Sequence, residues 1–218
     1  MYIPASNQFP DKTEILEFMR KFSFATIITI KENLPIATHL PFIINQETED
    51  IILISHFAKA NEQWQYIENS QSLVIFSEPH AYISPSNYEQ ALNVPTWNYI
   101  AIHAYGQGKL IQETEKVLSL LEKTIDFYEE NYRQQWNQLP SEYKLKMSRG
   151  IVAFEIRVTN LQAKKKLSQN RSETEQRNIF DTLSTSKDSN EKIIAEYMKP
   201  NISKRPSHVE LNINNNQD

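Results

Sequence analysis

Short β-rich runs joined by links too short to hold a helix constrain this chain more than any other feature. Residues 24–30, 36–44, 51–55, 73–76, 80–84 and 98–110 are dense in β-branched and aromatic side chains, and 152–161 repeats the pattern after a helical interruption. Links such as Lys31-Glu-Asn-Leu-Pro35 and Asn45-Gln-Glu-Thr-Glu-Asp50 suit antiparallel neighbours better than βαβ crossovers. The expected fold is mainly β with flanking helices: six or seven strands in a barrel, not a Rossmann sheet.

Two helical patterns accompany the strands. Asp11 stands three residues before Glu14 in a capping-box-like arrangement, and Ile15, Leu16, Met19 and Phe22 follow at helical spacing. Val117, Leu121, Thr124, Ile125, Tyr128 and Tyr132 mark one face of a long helix over 113–135, expected to pack on the barrel. After Asn170 the chain turns polar, which predicts a barrel domain over 1–170 and a helical C-terminal extension over 171–218. The end from Leu211 to Asp218 has nothing to bury and is expected to be disordered.

Composition removes much chemistry. The chain has no cysteine, which excludes disulfides, thiol nucleophiles, iron–sulfur clusters and cysteine-ligated zinc. Only Gly106, Gly108 and Gly150 occur, so neither a dinucleotide fingerprint nor a P-loop can be written. His39, His56, His80, His103 and His208 form no i, i+4 pair beside a carboxylate cluster, so no metal site is expected. A Gly-x-Ser-x-Gly nucleophile elbow is also missing. No apolar run reaches the roughly 18 residues that span a bilayer, and the start lacks a secretory layout, so a cytoplasmic protein without membrane contact is expected. A net charge of −4 offers phosphate no global attraction, leaving nucleic acid to local basic patches or to a partner.

Three segments concentrate binding groups. In Ile54-Ser-His-Phe-Ala-Lys-Ala-Asn-Glu-Gln-Trp64, a strand end is expected to run into a helix, and Ser55, His56, Lys59 and Asn61 offer donors for a phosphate. Taken singly, Lys59 reads equally as a surface lysine and His56 as a strand-end histidine. Pro79-His-Ala-Tyr-Ile-Ser-Pro-Ser-Asn-Tyr88 with Val94-Pro-Thr-Trp-Asn-Tyr99 gathers aromatics and hydrogen-bonding groups around prolines, as a ring-binding wall or a dimer seam requires. Lys164-Lys-Lys-Leu-Ser-Gln-Asn-Arg171 is basic and amide-rich; it fits an anionic ligand or nucleic acid, or simply a solvated charge run.

Taken together, Met1-Tyr-Ile-Pro4, Ala37-Thr-His-Leu-Pro-Phe42, Ser55-His-Phe-Ala-Lys-Ala-Asn61, Pro79-His-Ala-Tyr-Ile-Ser-Pro85, Pro95-Thr-Trp-Asn-Tyr99 and Lys166-Leu-Ser-Gln-Asn-Arg171 resemble the PaiB family of FMN-binding negative transcriptional regulators. The resemblance implies a split β-barrel homodimer with FMN near the subunit interface. It also implies a regulatory rather than catalytic role, the repression of sporulation and extracellular protease genes. Thr38, His39 and Leu40 would then line the cofactor from one strand, with Ser55, His56, Lys59 and Asn61 near its phosphate. Tyr82, Ile83, Ser84, Trp97 and Tyr99 would border the ring or the dimer seam, and Lys166, Ser168, Gln169 and Asn170 would close the site. DNA would be met directly, through the basic runs 164–166 and 199–205, or through a partner protein. The chain departs from the family pattern at Glu78, Asn87 and Ala163, where glycine, tryptophan and glycine are expected. The rival expectation is a flavin-dependent oxidoreductase of the same fold using NAD(P)H, and a third is a haem-binding barrel with histidine axial ligands.

Overall fold

Asp11 accepts hydrogen bonds from the backbone N–H groups of Thr13 and Glu14, at 2.9 and 3.1 Å, and so opens helix α1 (Lys12–Lys21). In the computed structural model, which describes residues 1–47 and 49–203, this helix buries Ile15, Leu16, Phe18 and Met19 and leads into a run of strands. These are β1 (Phe24–Lys31), β2 (Leu34–Pro41), β3 (Ile43–Glu47), β4 (Asp50–Ala58), β5 (Gln71–Phe76), β6 (His80–Ile83) and β7 (Thr96–Ile111). Helices α2 (Thr114–Tyr128), α3 (Tyr132–Gln138) and α4 (Ser141–Ser148) precede β8 (Ile151–Lys166), and α5 (Glu173–Ser184) and α6 (Ser189–Ser203) follow it.

The chain divides into two compact units with interleaved boundaries. The first comprises Met1–Pro4, Gln8–Glu78 and Ala101–Lys164; the second comprises Ala5–Asn7, Pro79–Ile100 and the described residues from Lys165 onward.

The first unit carries the strand path β2-β1-β5-β7-β8-β4-β3, which is mainly antiparallel and not closed, since it ends at β2 and β3. Its β1–β2 hairpin turns on Glu32 and Asn33, both at positive φ (51° and 67°), the geometry of a two-residue type I′ loop. Alternation sends Ala25, Ile27, Leu53, Phe57, Val74, Phe76, Phe154 and Ile156 into the core. There Phe57 stacks on Phe154 at 4.7 Å, and Phe42 meets Phe76 and Phe154 edge-on at 6.1 and 6.2 Å. Strands β7 and β8 approach so closely at Gly106 that a Cβ there would lie 2.2 Å from the Arg157 carbonyl oxygen, so only glycine fits. On the other side of β4, Ile54 packs with Ile111 and Ile151 against Val117, Leu120 and Ala153, and this fastens α2 to the sheet.

Three expectations need correction. The run 36–44 is two strands, which brings the count to eight: Pro41, lacking an N–H, ends the ladder with β1, and buried Phe42 lets β3 pair with β4 instead. The helix over 113–135 is broken at Glu129, because Arg133 folds back to bind Glu122 and Asp126, both at 2.9 Å, and the Trp136 indole reaches Glu122. The buried face of α2 is also turned from the one read in the sequence: Leu120 joins Val117 inside, while Tyr128 is exposed and bonds Ser23 through its hydroxyl.

In the second unit, β6 pairs with the first part of β7, from His80↔Tyr99 to Ile83↔Thr96. Ala81, Ile83 and Asn98 lie on the buried face of this ribbon, with Asn98 donating weakly to the Met198 sulfur of α6. Asn87, where the resemblance leads one to expect tryptophan, is buried too. It donates to the Ser84 carbonyl and accepts from Thr182 at 2.7 Å, which ties α5 to the 3-10 turn at 85–87.

Candidate functional site

Antiparallel pairing separates residues that lie side by side in the sequence. On β2, Thr38 and Leu40 share one face, and His39 takes the opposite one, where its Nδ1 hydrogen-bonds Thr26 Oγ1 at 2.8 Å. On β4, Ser55 faces the core and donates to the Pro41 carbonyl at 2.7 Å. His56 shares the Ile54 face of the strand, opposite Ser55, and burial pushes its pKa below the ordinary value.

The segment after β4 is held by one polar network. Asn61 caps the 3-10 turn Glu62–Tyr66 through the Gln63 N–H, and its amide donates to Thr38 Oγ1 at 2.9 Å. Thr38 in turn donates to the buried Gln63 Oε1 at 2.6 Å, while Gln63 Nε2 donates to the carbonyls of Ile27 and Ile36. Thr38 and Asn61 are thus brought together, but their polar groups are spent on fixing this turn. What the turn positions is Lys59. Its backbone N–H donates to the Gly150 carbonyl at 2.8 Å, its own carbonyl accepts from the Trp64 indole at 3.2 Å, and its ammonium is exposed.

Lys59 lines a cavity of about 360 Å³ together with Trp64, Thr114, Ser148 and Arg149, over an apolar floor that includes Ile111, Val117, Ile151 and Val152. No carboxylate lines it. A neighbouring cavity of about 520 Å³ carries Glu68, Glu113 and Glu155 beside Lys109 and Lys116, and those three carboxylates would repel an anion. Arg149 was not among the residues read from the sequence, where a lone arginine between a helix and a strand carries no signal.

In the second unit, Tyr82 and Trp97 face each other across β6 and β7 with ring centroids 5.7 Å apart. They remain 47% and 52% exposed, and His80 lies beside Trp97 at 5.8 Å. Ile83 is buried on the other face, Ser84 caps the following turn, and Tyr99 is half-buried. Lys166 donates to Thr96 Oγ1, and Ser168, at positive φ, donates to buried Asn98 at 3.0 Å. Gln169 is folded into its own turn through the Leu167 N–H and the Lys165 carbonyl, while Asn170 is exposed. The basic run 164–166 is not a solvated stripe. Lys164 is buried with its ammonium over the Tyr2 ring, and Lys165 lies over Tyr197. Of the second basic run only 199–203 lies within the described residues; Lys204, Arg205, His208 and the stretch from Leu211 to Asp218 lie outside them. Glu78 is exposed and Ala163 is buried.

Comparison with known proteins decides the family. Residues 1–160 match the family model described as "Putative FMN-binding domain". The chain is 38% identical over 211 residues to "Protease synthase and sporulation protein PAI 2" of Bacillus subtilis, which covers 94% of this chain and all of that protein. The chain belongs to the PaiB family of FMN-binding proteins. It is also 30% identical over 111 residues to an uncharacterized protein of Saccharomyces cerevisiae, covering 48% of this chain and 66% of that one.

Solved structures place the fold among the split-barrel proteins. The flavocytochrome Anf3 from Azotobacter vinelandii aligns with a TM-score of 0.57 at 15% identity, over 72% of this chain and 67% of that one. The FAD and heme binding protein from Mycobacterium smegmatis aligns with a TM-score of 0.56 at 13% identity, over 73% of each. FMN is the cofactor of the PaiB family domain. The first unit fits its phosphate end: the Lys59 cavity lies toward the small end of the roughly 300–1,000 Å³ range of ligand pockets and pairs cationic and hydroxyl groups with an indole. Among the described residues no cluster of histidine and carboxylate groups could hold a metal, and no helix is long and apolar enough to cross a membrane.

Proposed function

We propose that this protein is an FMN-binding transcriptional regulator that represses protease and sporulation genes, and that it acts as a homodimer. The observation that carries the reading is the full-length correspondence to a relative named for protease synthesis and sporulation. Lys59 and its cavity in the first unit take the FMN phosphate, and the exposed Tyr82–Trp97 pair of the second unit serves as an aromatic subunit seam. Thr38, His39, Leu40, Ser55, His56 and Asn61 support the phosphate segment more than they touch the ligand, and Lys166, Ser168 and Gln169 shape the turn that presents Asn170. DNA is reached directly or through a partner protein. With Lys164 to Lys166 laid against the protein, direct contact draws on few cations.

The second reading, an FMN-dependent oxidoreductase using NAD(P)H, draws on the fold, which a flavocytochrome shares. Bound flavin supplies hydride-accepting chemistry wherever a nicotinamide can stack on it. One set of measurements separates the two. Purified protein should show a yellow flavin spectrum that NADH and NADPH leave unbleached without oxygen, and the gene should restore protease and spore control in Bacillus subtilis lacking its relative. Rapid bleaching without complementation would establish the oxidoreductase, and a red haem spectrum would overturn both.

A further inference from the structure

We propose that Arg149 is the second cation of the flavin phosphate site, and that with Lys59 it makes the site select FMN over riboflavin. The inference rests on the FMN reading above and deepens it. Strand β4 pairs with β8 up to Ala58↔Ile151, and the next ladder bond runs from the Lys59 N–H to the Gly150 carbonyl, so the residues that end β4 and precede β8 are held side by side. Lys59 and Arg149 consequently line one cavity, both exposed and neither ion-paired to a carboxylate among the described residues. In a chain of net charge −4, two unneutralised cations beside one cavity with no carboxylate on its wall mark a place for an anion. Glu113, next in the chain to cavity-lining Thr114, is drawn to Lys116 at 3.0 Å, which also holds its carboxyl below the usual range.

A phosphate monoester suits this pair better than a carboxylate. A guanidinium can bind two of its oxygens in a planar fork while the ammonium meets a third, and Thr114 and Ser148 add hydroxyls to the wall. The bland account is that Arg149, just past the end of α4 with φ −69° and ψ −18°, merely complements the C-terminal end of that helix. The two accounts differ in what they do to a flavin without a phosphate.

The test compares FMN and riboflavin affinities, by quenching of flavin fluorescence, for the parent protein, Arg149→Gln, Arg149→Lys and Lys59→Gln. Arg149→Gln should weaken FMN by about 10- to 100-fold, the range for a charge-assisted bond, and leave riboflavin within about twofold. Arg149→Lys should recover part of the loss, because a point charge remains without the fork. FMN affinity unchanged in Arg149→Gln but lost in Lys59→Gln would remove Arg149 from the site and leave the FMN reading intact. Equal weakening of both flavins together with a lower melting temperature would return Arg149 to the helix-end role. A parent protein that binds no flavin would remove the FMN reading itself. The cation pair would then be judged by pyrophosphate alone: a rise in melting temperature that Arg149→Gln abolishes keeps the anion site, and no rise removes it.

Discussion

Ser55 and His56 occupy consecutive positions, yet the hydroxyl serves the core and the imidazole takes the opposite face, so the strand period divides what the sequence presents as a single donor cluster. Burial lowers the pKa of His56 and, with the N-terminal ammonium as a second cause, that of His103. The unfolded chain protonates these rings near 6.5, whereas the folded chain does so only at lower pH. Their share of stability is therefore complete above about pH 6.5 and is lost as pH falls from there toward the folded pKa. Urea midpoints at about pH 7.5 and 5.5 should fall further for the parent than for His56→Gln, whose side chain has no proton to take up in that window. Equal falls would show that His56 titrates as freely in the folded protein as in the unfolded one. Lys59 was legible as a candidate because it stands beside other donors in a short segment. Arg149 was not, because its partner in the cavity lies far away along the chain and only the β4–β8 ladder joins them.

Elements with a local period and a local signal were read well, and those that depend on a distant partner were not. Helix α1 begins where Asp11 announced it, with Ile15, Leu16 and Met19 inside as the spacing required. Asp11→Ala should lower stability by about 0.5–2 kcal/mol, the usual worth of an N-cap, and a shift of the denaturant midpoint without change in slope would measure it. No shift would mean that the N-terminal turn is held by the buried face of α1 alone. The break between α2 and α3 had no comparable signal, since residues 113–135 carry no proline or glycine and Arg133 acts from beyond the break. The division of 36–44 into β2 and β3 did have one in Pro41, but a single proline does not say which strand the chain pairs with next.

On the scale of the whole molecule, each unit leaves apolar surface uncovered. In the first unit Phe24, 70% exposed, lies on the outer face of β1 with Ile28 and Ile30, continued by Leu73 and Ile75 of β5 and by His103 and Tyr105 of β7. In the second unit Tyr82 and Trp97 form an exposed aromatic pair, and Leu92 and Val94 are exposed as well. Contiguous surface of this kind is usually an interface, and in a homodimer one patch meets its own copy. Sedimentation should give twice the chain mass, and Phe24→Asp and Trp97→Asp should each raise the dimer dissociation constant by at least about tenfold, or about 1.4 kcal/mol. A flavin-loaded monomer would refute the dimer. The sequence by itself determined the mainly β class, the PaiB resemblance and the exclusion of glycine-loop nucleotide sites, and it singled out the segment around Lys59 as a candidate. Alternation, turn chemistry and residue inventory are local properties that can be counted along a chain. Only the tertiary structure decided which face each donor takes, that Thr38 and Asn61 serve the turn, that Lys164 to Lys166 are laid against protein, and that Arg149 stands beside Lys59. Those outcomes follow from pairing between distant strands, which is set by burying apolar surface across the whole sheet and leaves no mark within any one segment.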